Sequence, residues 1–382
     1  MSQTKFSHII EYSAPYQTVV VFVSTVYDNP VSGPATYARL LHVAFNAAPF
    51  AFVTITSDAA LPDHRMVSIP KTKRPSRIYK ELWKTAREVV SVLKGKKVIV
   101  HFNNAFPYVF FGRLGDLSFI QLNDYFNIEV PYLLRGKYTL KVKLYHIARK
   151  FTERRSVAKT DMLICNSKYT YDKARKYYGI PERKCTLIYK SMRLDEMGMR
   201  SSAPAQGRIL YVGNDLYRKG FDILAKALCL TTQVRTLQIA GPGFFSEQEK
   251  LFLAMIPKHI QVELLGSLAS ASLYQAMTQT DLVVIPARYE ALGVAVIESL
   301  SQGVPVITSG VGGLQEVLEG YPAIFGDSGN LQPETLAWHI DSIFSRYTEY
   351  LQITQDNVEK IRTNYSPVTM TAKLQKLYLG ES

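Results

Sequence analysis

The stretch that most constrains the fold is residues 281–317, DLVVIPARYEALGVAVIESLSQGVPVITSGVGGLQEV. Its apolar run LVVIP predicts a buried strand. Residues 292–302 have the apolar spacing of a helix that ends at Gly303, directly before a second strand-like run, VPVIT. The order strand, helix, strand is typical of a parallel pair, because parallel neighbours are joined by a long crossover connection that is usually a helix. This stretch therefore predicts an α/β fold.

The same alternation of strand and helix continues along the chain, as in TVVVFV, KVIVHFN and LSFIQLN before residue 195 and RILYVG, TLQIAG and QVELLG after residue 207. The stretch between them is short of large apolar residues and contains Gly, Pro and Ser, which is typical of a linker. We therefore predict an N-terminal domain over 1–195, a linker over 196–207, a C-terminal domain over 208–360 and a terminal helix over 361–382 that crosses back to the N-terminal domain. Both domains are expected to be Rossmann-like, with parallel sheets that face each other across a deep cleft and bind ligands at the carboxyl ends of their strands.

Charge is distributed unevenly along this chain of 382 residues. Residues 1–206 have a net charge of +17 and the remainder has −4. Such asymmetry indicates an anionic partner for the N-terminal half, namely a nucleic acid, an acidic glycan or a membrane surface, and is equally compatible with a solvated basic surface. The three cysteines are scattered, the first residues lack the features of a signal peptide, and no apolar run approaches the ~20 residues that span a bilayer. These features predict a cytoplasmic protein.

Two carboxylates flank the start of the helix in the first stretch. Glu290 precedes it and Glu298 lies two turns further on, with the backbone amides of Leu292, Gly293 and Val294 between them. Amides at a helix N-terminus favour an anion such as a phosphate. A carboxylate can accept both hydroxyl protons of a ribose, which is the role expected of Glu298, while Glu290 would face a transferred sugar. The pattern predicts a sugar-nucleotide site.

Residues 281–317 resemble the signature of the retaining, family-four glycosyltransferases with a GT-B fold. The corresponding segment here is EALGVAVIESLSQGVPVITSGVGGLQE. The resemblance implies that Glu298 holds the nucleotide ribose, that the backbone of residues 291–294, from Ala291 to Val294, contacts donor phosphate or sugar, and that Glu290 lies beside the donor sugar.

The resemblance extends to YVGNDLYRKGFDILAKAL, in which a lysine before a glycine grips the donor diphosphate. This implies that Lys219 stabilises the leaving diphosphate without a metal ion. An arginine usually follows the strand glycine in this family. Here Asn214 follows Gly213, and Arg218 is the candidate substitute.

In the N-terminal half, SGPATYARLL resembles the family's glycine loop and implies that Gly33 approaches the donor phosphate. Many relatives have His-Asp where this chain has Asn123-Asp124 in QLNDYF. Asp124 joins Glu290 and Lys219 as a candidate catalytic residue. His101 and Asn103, at the end of KVIVHFN, join Asn123 as candidates for an acceptor or sugar pocket.

The remaining candidate donor-binding residues follow two C-terminal strands. Gly241 after TLQIA would shape the turn beside the nucleotide, and Gly266 and Ser267 in QVELLGSL would offer groups to its base. No two aspartates lie two positions apart, and no Gly-x4-Gly-Lys-Ser/Thr loop is present, so the sequence predicts neither an Asp-x-Asp metal clamp nor a P-loop.

The sequence and its resemblance together predict a metal-independent, retaining glycosyltransferase that uses a UDP- or GDP-linked sugar and needs no cofactor. The expected acceptor is a glycan or a lipid-linked glycan in envelope polysaccharide or glycoconjugate synthesis. The expected location is cytoplasmic, with peripheral contact between the basic N-terminal domain and an anionic membrane, and no nucleic acid is expected as a partner. Two alternatives stay open: a sugar-nucleotide epimerase or phosphorylase on the same fold, and a non-catalytic nucleic-acid-binding protein.

Overall fold

The computed structural model describes residues 5–29, 33–57, 59, 63–70, 75–104, 114–123, 140–241, 247–321 and 332–381. The chain forms two compact units. Unit 1 comprises Met1–Ser191 and Pro367–Ser382, and unit 2 comprises Met192–Ser366.

The strands of both units are short and lie close to the apolar runs of the sequence. In chain order they are β1 Thr18–Val23, β2 Ala51–Thr56, β3 Met66–Ser68, β4 Lys97–Phe102, β5 Leu117–Leu122, β6 Met162–Cys165, β7 Cys185–Leu187, β8 Arg208–Val212, β9 Thr236–Ala240, β10 Gln261–Gly266, β11 Leu282–Ile285 and β12 Val306–Thr308.

The described α-helices are numbered in the same way. They are α1 Ser7–Ser13, α2 Gly33–Ala44, α3 Pro75–Val92, α4 Leu140–Lys159, α5 Lys168–Tyr178, α6 Phe221–Leu228, α7 Glu247–Met255, α8 Ser270–Thr278, α9 Val294–Leu300, α10 Leu314–Val317, α11 Pro333–Ser345, α12 Tyr347–Asp356, α13 Val358–Asn364 and α14 Pro367–Leu379. Short 3-10 turns occupy Phe45–Ala47, Glu182–Lys184 and Leu194–Glu196. Within the described residues, no helix combines the length and the hydrophobicity needed to cross a bilayer.

Each unit is built on one parallel sheet. Unit 1 has seven strands in the order β3-β2-β1-β4-β5-β6-β7, and unit 2 has five in the order β10-β9-β8-β11-β12. Sheets of this kind carry helices on their faces, so their inner strands are continuous apolar runs. Strand β1 is buried over Val19–Val23 and β11 over its whole length, which agrees with this rule. The predicted α/β class with two Rossmann-like sheets is confirmed.

The strand order places a topological switch point in each sheet. In unit 2 the chain runs from β8 outward to β10 and then returns to β11 on the other side of β8. In unit 1 it runs from β1 to β3 and returns to β4. Loops that leave the carboxyl ends of two such neighbouring strands diverge and leave a crevice, which is where open α/β sheets bind ligands. The switch points lie between β8 and β11 and between β1 and β4.

The stretch predicted as a linker, residues 196–207, lies within unit 2. Arg200 forms a 2.6 Å ion pair with the buried Asp281. The second carboxylate oxygen of Asp281 accepts the backbone N–H groups of Gln206 and Arg208. Polar contacts to one buried carboxylate therefore attach a stretch that contains few large apolar side chains.

The last helix, α14, belongs to unit 1, and α13 before it belongs to unit 2. Tyr378 of α14 is fully buried in an aromatic cluster with Phe45, Phe50 and Phe119 of unit 1. Burial of an aromatic side chain removes a large apolar area from water, so Tyr378 fixes α14 to unit 1.

Candidate functional site

The switch point of unit 2 holds an ion pair. Lys219 lies between β8 and α6, Glu290 lies between β11 and α9, and the Lys219 ammonium donates to the Glu290 carboxylate. The two side chains are only 11% and 13% exposed. Arg218 adds a second cation, with Nη1 3.8 Å from the same carboxylate oxygen. The two residues come together because β8 and β11 are hydrogen-bonded neighbours whose carboxyl ends share one edge of the sheet.

The surroundings of Glu290 keep it ionised. Burial by itself raises the pKa of this carboxyl. The charges of Lys219 and Arg218, the hydrogen bond from Lys219 and a hydrogen bond from the backbone N–H of Gly293 outweigh burial and bring the pKa below its ordinary value. Glu290 is therefore a carboxylate at neutral pH.

Two glycines admit the Lys219 side chain to this position. A β-carbon at Gly213 would lie 2.8 Å from Cγ of Lys219, so the absent side chain leaves room for the lysine stem. Gly220 has a φ of +72°, in the left-handed region. A β-carbon at Gly220 would overlap the carbonyl oxygen of Pro286 at the end of β11. Close backbone approach at Gly220 thus sets the distance between the loops that carry Lys219 and Glu290.

The start of α9 is enclosed by further glycines. Gly293 has a φ of +93° and precedes the first residue of the helix. Gly313 donates its backbone N–H to the carbonyl of Glu290 over 3.1 Å. A β-carbon at Gly313 would overlap the carbonyl oxygen of Ala291. The turn Gly312-Gly313 therefore packs directly against the backbone of residues 291–294, which are predicted to contact the donor phosphate or sugar.

Glu298 lies on α9 and is half-buried. Tyr274 of α8 donates its hydroxyl to Oε1 of Glu298 over 3.2 Å. Burial and the negative charge of Glu298 raise the pKa of Tyr274, so the hydroxyl keeps its proton. Sequence reasoning missed Tyr274, since an aromatic residue at an apolar helical position has the pattern of a core residue.

The carboxyl ends of β8, β9 and β10 are linked by their glycines. Gly213 donates its N–H to Ala240 over 2.9 Å, and Gly241 donates to Gly266 over 3.0 Å. The Ser267 hydroxyl donates to the carbonyl of Gly241 over 3.0 Å. Close packing at Gly241 leaves no room for a side chain, because a β-carbon there would lie 2.7 Å from the carbonyl oxygen of Gly213. Asn214 follows Gly213 at an exposed position.

The switch point of unit 1 is lined by amide side chains. Asn103, after β4, donates to the Ser24 hydroxyl over 3.0 Å and to the carbonyl of Pro34 over 3.2 Å, next to Gly33. Asn123, after β5, donates to the backbone and side-chain oxygens of Asn103 over 2.6 and 3.2 Å. Within the described part of the chain, the buried Oδ1 atom of Asn123 has no hydrogen-bond partner.

Asn166, after β6, extends this row by donating to the carbonyl of Asn123 over 3.0 Å. Sequence reasoning passed over Asn166, although it follows its strand as Asn103 and Asn123 follow theirs. Gly33 begins α2, and a β-carbon there would lie 3.8 Å from the ammonium of Lys190.

His101 lies in the core of unit 1 and is fully buried. Its ring meets Phe22 edge to face, and its Nδ1 atom is 2.6 Å from the hydroxyl of Tyr378. Burial lowers the pKa of His101 to about 3, so the ring is neutral. Asp124 lies outside the described residues. In the described part of the chain, no cluster of three or more His, Cys, Asp or Glu side chains could hold a metal ion.

Two family models divide the chain between them. Residues 31–196 match the model described as Glycosyltransferase Family 4, and residues 200–360 match the model described as Glycosyl transferases group 1. An uncharacterized glycosyltransferase of Methanocaldococcus jannaschii is 27% identical over 243 residues. That alignment covers 54% of this chain and 60% of the relative's length.

Solved structures resemble the fold over nearly the whole chain. Sucrose-phosphate synthase from Thermosynechococcus elongatus has a TM-score of 0.75 at 19% identity, and the comparison covers 95% of this chain and 98% of that one. Anabaena HepE in complex with UDP-glucose has a TM-score of 0.71 at 17% identity, with 95% and 99% covered. At these identities the likeness concerns the fold alone.

Proposed function

We propose that this chain, which belongs to the GT-B glycosyltransferases and resembles family four, transfers a sugar from a nucleoside-diphosphate sugar to a glycan or lipid-linked acceptor. The observation that carries the proposal is the position of Lys219 and Glu290. A largely buried cation and a largely buried carboxylate meet at the switch point between β8 and β11, where an open parallel sheet binds its ligand.

Lys219 is the proposed diphosphate ligand, and Arg218 supplies the second cation that the usual position, Asn214, lacks. Cations held in a nearly dry site stabilise the negative charge that develops on a departing diphosphate. The backbone amides of Leu292 and Val294, at the start of α9, are proposed to add to this stabilisation. This set of groups supports leaving-group stabilisation without a metal ion.

Glu298 is the proposed ribose ligand, and the hydrogen bond from Tyr274 to its Oε1 atom orients the carboxylate. Gly266 and Ser267, at the end of β10, offer backbone groups to the nucleotide base, and the close packing of Gly241 shapes the turn beside it. UDP is the first nucleotide to test, since the HepE structure contains UDP-glucose, and GDP is the second.

Glu290 is the proposed sugar ligand. Lys219 is paired with Glu290. Binding of a diphosphate would draw the ammonium toward the phosphate oxygens and release the Glu290 carboxylate toward the hydroxyl groups of the sugar. The lowered pKa of Glu290 keeps it a hydrogen-bond acceptor at neutral pH.

Retention of anomeric configuration is proposed from the family resemblance. The bond between the anomeric carbon and the phosphate oxygen breaks, and the acceptor oxygen bonds to the same face of that carbon. The leaving phosphate takes the acceptor proton. In unit 1, the row formed by Asn103 and Asn123 is the proposed acceptor or sugar pocket, because the buried Oδ1 atom of Asn123 can accept from a hydroxyl.

The biological setting is also proposed. The basic N-terminal half favours a lipid-linked acceptor at an anionic membrane, which would place the protein in the cytoplasm at the inner face of that membrane during polysaccharide or glycoconjugate synthesis. This setting is a separate part of the proposal from donor binding.

A thermal-shift screen of UDP- and GDP-linked sugars tests the donor proposal, because a ligand that binds the folded state raises the melting temperature. Replacement of Glu298 by Ala should weaken UDP binding by roughly tenfold or more, since hydrogen bonds to charged groups contribute about 1.5–3 kcal/mol. Replacement of Glu290 by Gln should mainly slow transfer. Glu247→Gln, at a carboxylate whose side chain is 90% exposed, is the matched control. Wild-type UDP affinity in Glu298→Ala together with wild-type turnover in Glu290→Gln would contradict the proposed site.

Product analysis with a radiolabelled donor separates transfer from the alternatives. Transfer moves the label to the acceptor, whereas an epimerase leaves it on the nucleotide and a phosphorylase requires inorganic phosphate. A nucleic-acid-binding protein would show salt-sensitive RNA or DNA binding and no affinity for sugar nucleotides.

A further inference from the structure

Helix α4 of unit 1 carries a line of exposed apolar side chains. Leu140, Leu144 and Phe151 are 73%, 57% and 67% exposed, and Ile147 is half-buried. Their spacing of four, three and four residues keeps all four within about 60° of one another on a helix that turns ~100° per residue. Apolar residues scattered singly on a surface are ordinary, but a continuous line of them marks a contact surface.

The opposite side of α4 faces the unit. Val157 and Ser156 are buried, and Glu153, also buried, accepts a hydrogen bond from the hydroxyl of Tyr178 of α5. On the same helical projection these three residues lie about 100° to 160° from the apolar line. The attachment through Glu153 therefore directs the apolar line toward solvent.

Basic residues border the apolar line on both sides. Arg154 and Lys143 project about 40° to 60° to one side of Leu140, and Arg155 projects about 60° to the other. Both arginines are exposed. The sequence of α4 contains seven Lys or Arg residues and a single acidic one, Glu153. An apolar line bordered by cations is complementary to a surface with an apolar interior and anionic headgroups.

We propose that α4 is the element through which this protein docks on an anionic lipid bilayer. The helix lies parallel to the membrane plane, Leu140, Leu144, Ile147 and Phe151 enter the boundary between headgroups and acyl chains, and Arg154 and Arg155 contact lipid phosphates. Two weak contributions, apolar insertion and charge attraction, together give a stable but reversible attachment. The inference rests on the proposed membrane contact of the N-terminal half and identifies the surface that makes it.

Vesicle sedimentation of the full chain tests this surface, with phosphatidylcholine vesicles compared with phosphatidylcholine–phosphatidylglycerol vesicles. We expect binding only to the anionic vesicles and weaker binding at high salt, because salt screens exposed charges. The double variant Leu144→Ser/Phe151→Ser should lower the partition coefficient roughly tenfold or more, through the loss of two inserted side chains. Arg154→Gln/Arg155→Gln should reduce binding to anionic vesicles and its salt dependence.

The matched control is Leu251→Ser/Trp338→Ser, which removes two side chains of unit 2 that are 67% and 65% exposed and should leave partitioning unchanged. A second readout is Phe151→Trp in vesicles with brominated acyl chains, where we expect quenching of the added tryptophan. Thermal melting of each variant verifies that it is folded.

The outcomes separate the two levels of the proposal. Absence of wild-type binding to anionic vesicles at low salt would overturn both the membrane contact and the role of α4. Wild-type binding that is unchanged in Leu144→Ser/Phe151→Ser would overturn the role of α4 alone. A change from dimer to monomer in that variant, without wild-type vesicle binding, would assign the surface to a second copy of the chain and overturn the lipid proposal.

Discussion

The backbone contact at Gly220 allows a sharp test of how the loops of unit 2 are held together. Gly220 has a φ of +72°, and a β-carbon there would overlap the carbonyl oxygen of Pro286 and lie 2.8 Å from its carbonyl carbon. The substitution Gly220→Ala therefore adds two penalties. One is the conformational cost of a left-handed backbone for an L-residue, and the other is a collision with main-chain atoms that no side-chain rotation can relieve.

The two penalties differ in size. A left-handed conformation costs a residue with a β-carbon about 1–2 kcal/mol. The overlap with Pro286 forces either the end of β11 or the start of α6 to move, which is the class of change that gives losses above about 4 kcal/mol. Gly266 provides the internal control in the same unit, because its φ is +66° and a β-carbon there would meet no atom within 4 Å. Gly266→Ala should lose only the conformational part, about 1–2 kcal/mol.

Urea unfolding followed by circular dichroism measures both variants. We expect the free energy of unfolding to fall by at least about 2 kcal/mol more in Gly220→Ala than in Gly266→Ala. Equal losses in the two variants, within the ~0.5 kcal/mol by which independent changes normally agree, would refute the claim that backbone approach at Gly220 sets the position of Lys219 against Glu290.

Three further predictions concern single polar contacts. Tyr274→Phe removes the 3.2 Å hydrogen bond to Glu298, so UDP affinity measured by calorimetry should fall about three- to tenfold, whereas an unchanged affinity would exclude a positioning role. Asp281→Asn leaves the buried charge of Arg200 without its ion-pair partner, so the free energy of unfolding should fall by about 3–5 kcal/mol; a neutral effect in urea unfolding would contradict this. In the folded protein the pKa of His101 is about 3, below its ordinary ~6.5. The unfolded chain therefore binds a proton at this residue more readily than the folded chain does. As a result, the free energy of unfolding decreases as the pH falls from ~6.5 toward 3. Lowering the pH from about 7.5 to 5.5 should lower the free energy of unfolding by about 1 kcal/mol through this residue, a dependence that His101→Phe/Tyr378→Phe should lack.

The positions of the strands could be predicted from the sequence because parallel strands buried on both faces are continuous apolar runs. The apolar run LSFIQLN predicts a strand, and the strand Leu117–Leu122 lies within it. The three-residue strand Met66–Ser68 was missed, since a run this short, in a polar stretch that contains proline, has the pattern of a loop. Helices α1, α10, α12 and α13 were also not predicted.

Single residues of the candidate site could be nominated from several segments of the sequence, but the contacts between those segments could not be predicted. Glu290, Gly293 and Glu298 belong to one recognisable motif. The hydrogen bond between Asn103 and Asn123 depends on β4 and β5 being neighbours, and strand order cannot be read from local pattern. The attachment of residues 200–208 to Asp281 likewise depends on a contact more than seventy residues away in sequence.

The environment of His101 shows a second limit of local pattern. Its position at the end of an apolar strand is compatible either with a polar site or with a core, and the sequence does not distinguish them. The side chain that decides between them, Tyr378, lies 277 positions away. In the fold, both rings are buried together, and neither charge is formed near neutral pH.

The place of α14 in unit 1 has a consequence for the order in which the chain folds during synthesis. Unit 2 is continuous in sequence, so all of its strands emerge from the ribosome before Pro367 does. Unit 1 is made first but lacks Met370, Leu374 and Tyr378, three buried members of its core, until its last helix emerges. Domains usually complete their folding in the order of synthesis. Here the N-terminal unit is the last to be completed, and until then the apolar core around Phe45 and Phe50 lacks the helix that covers it.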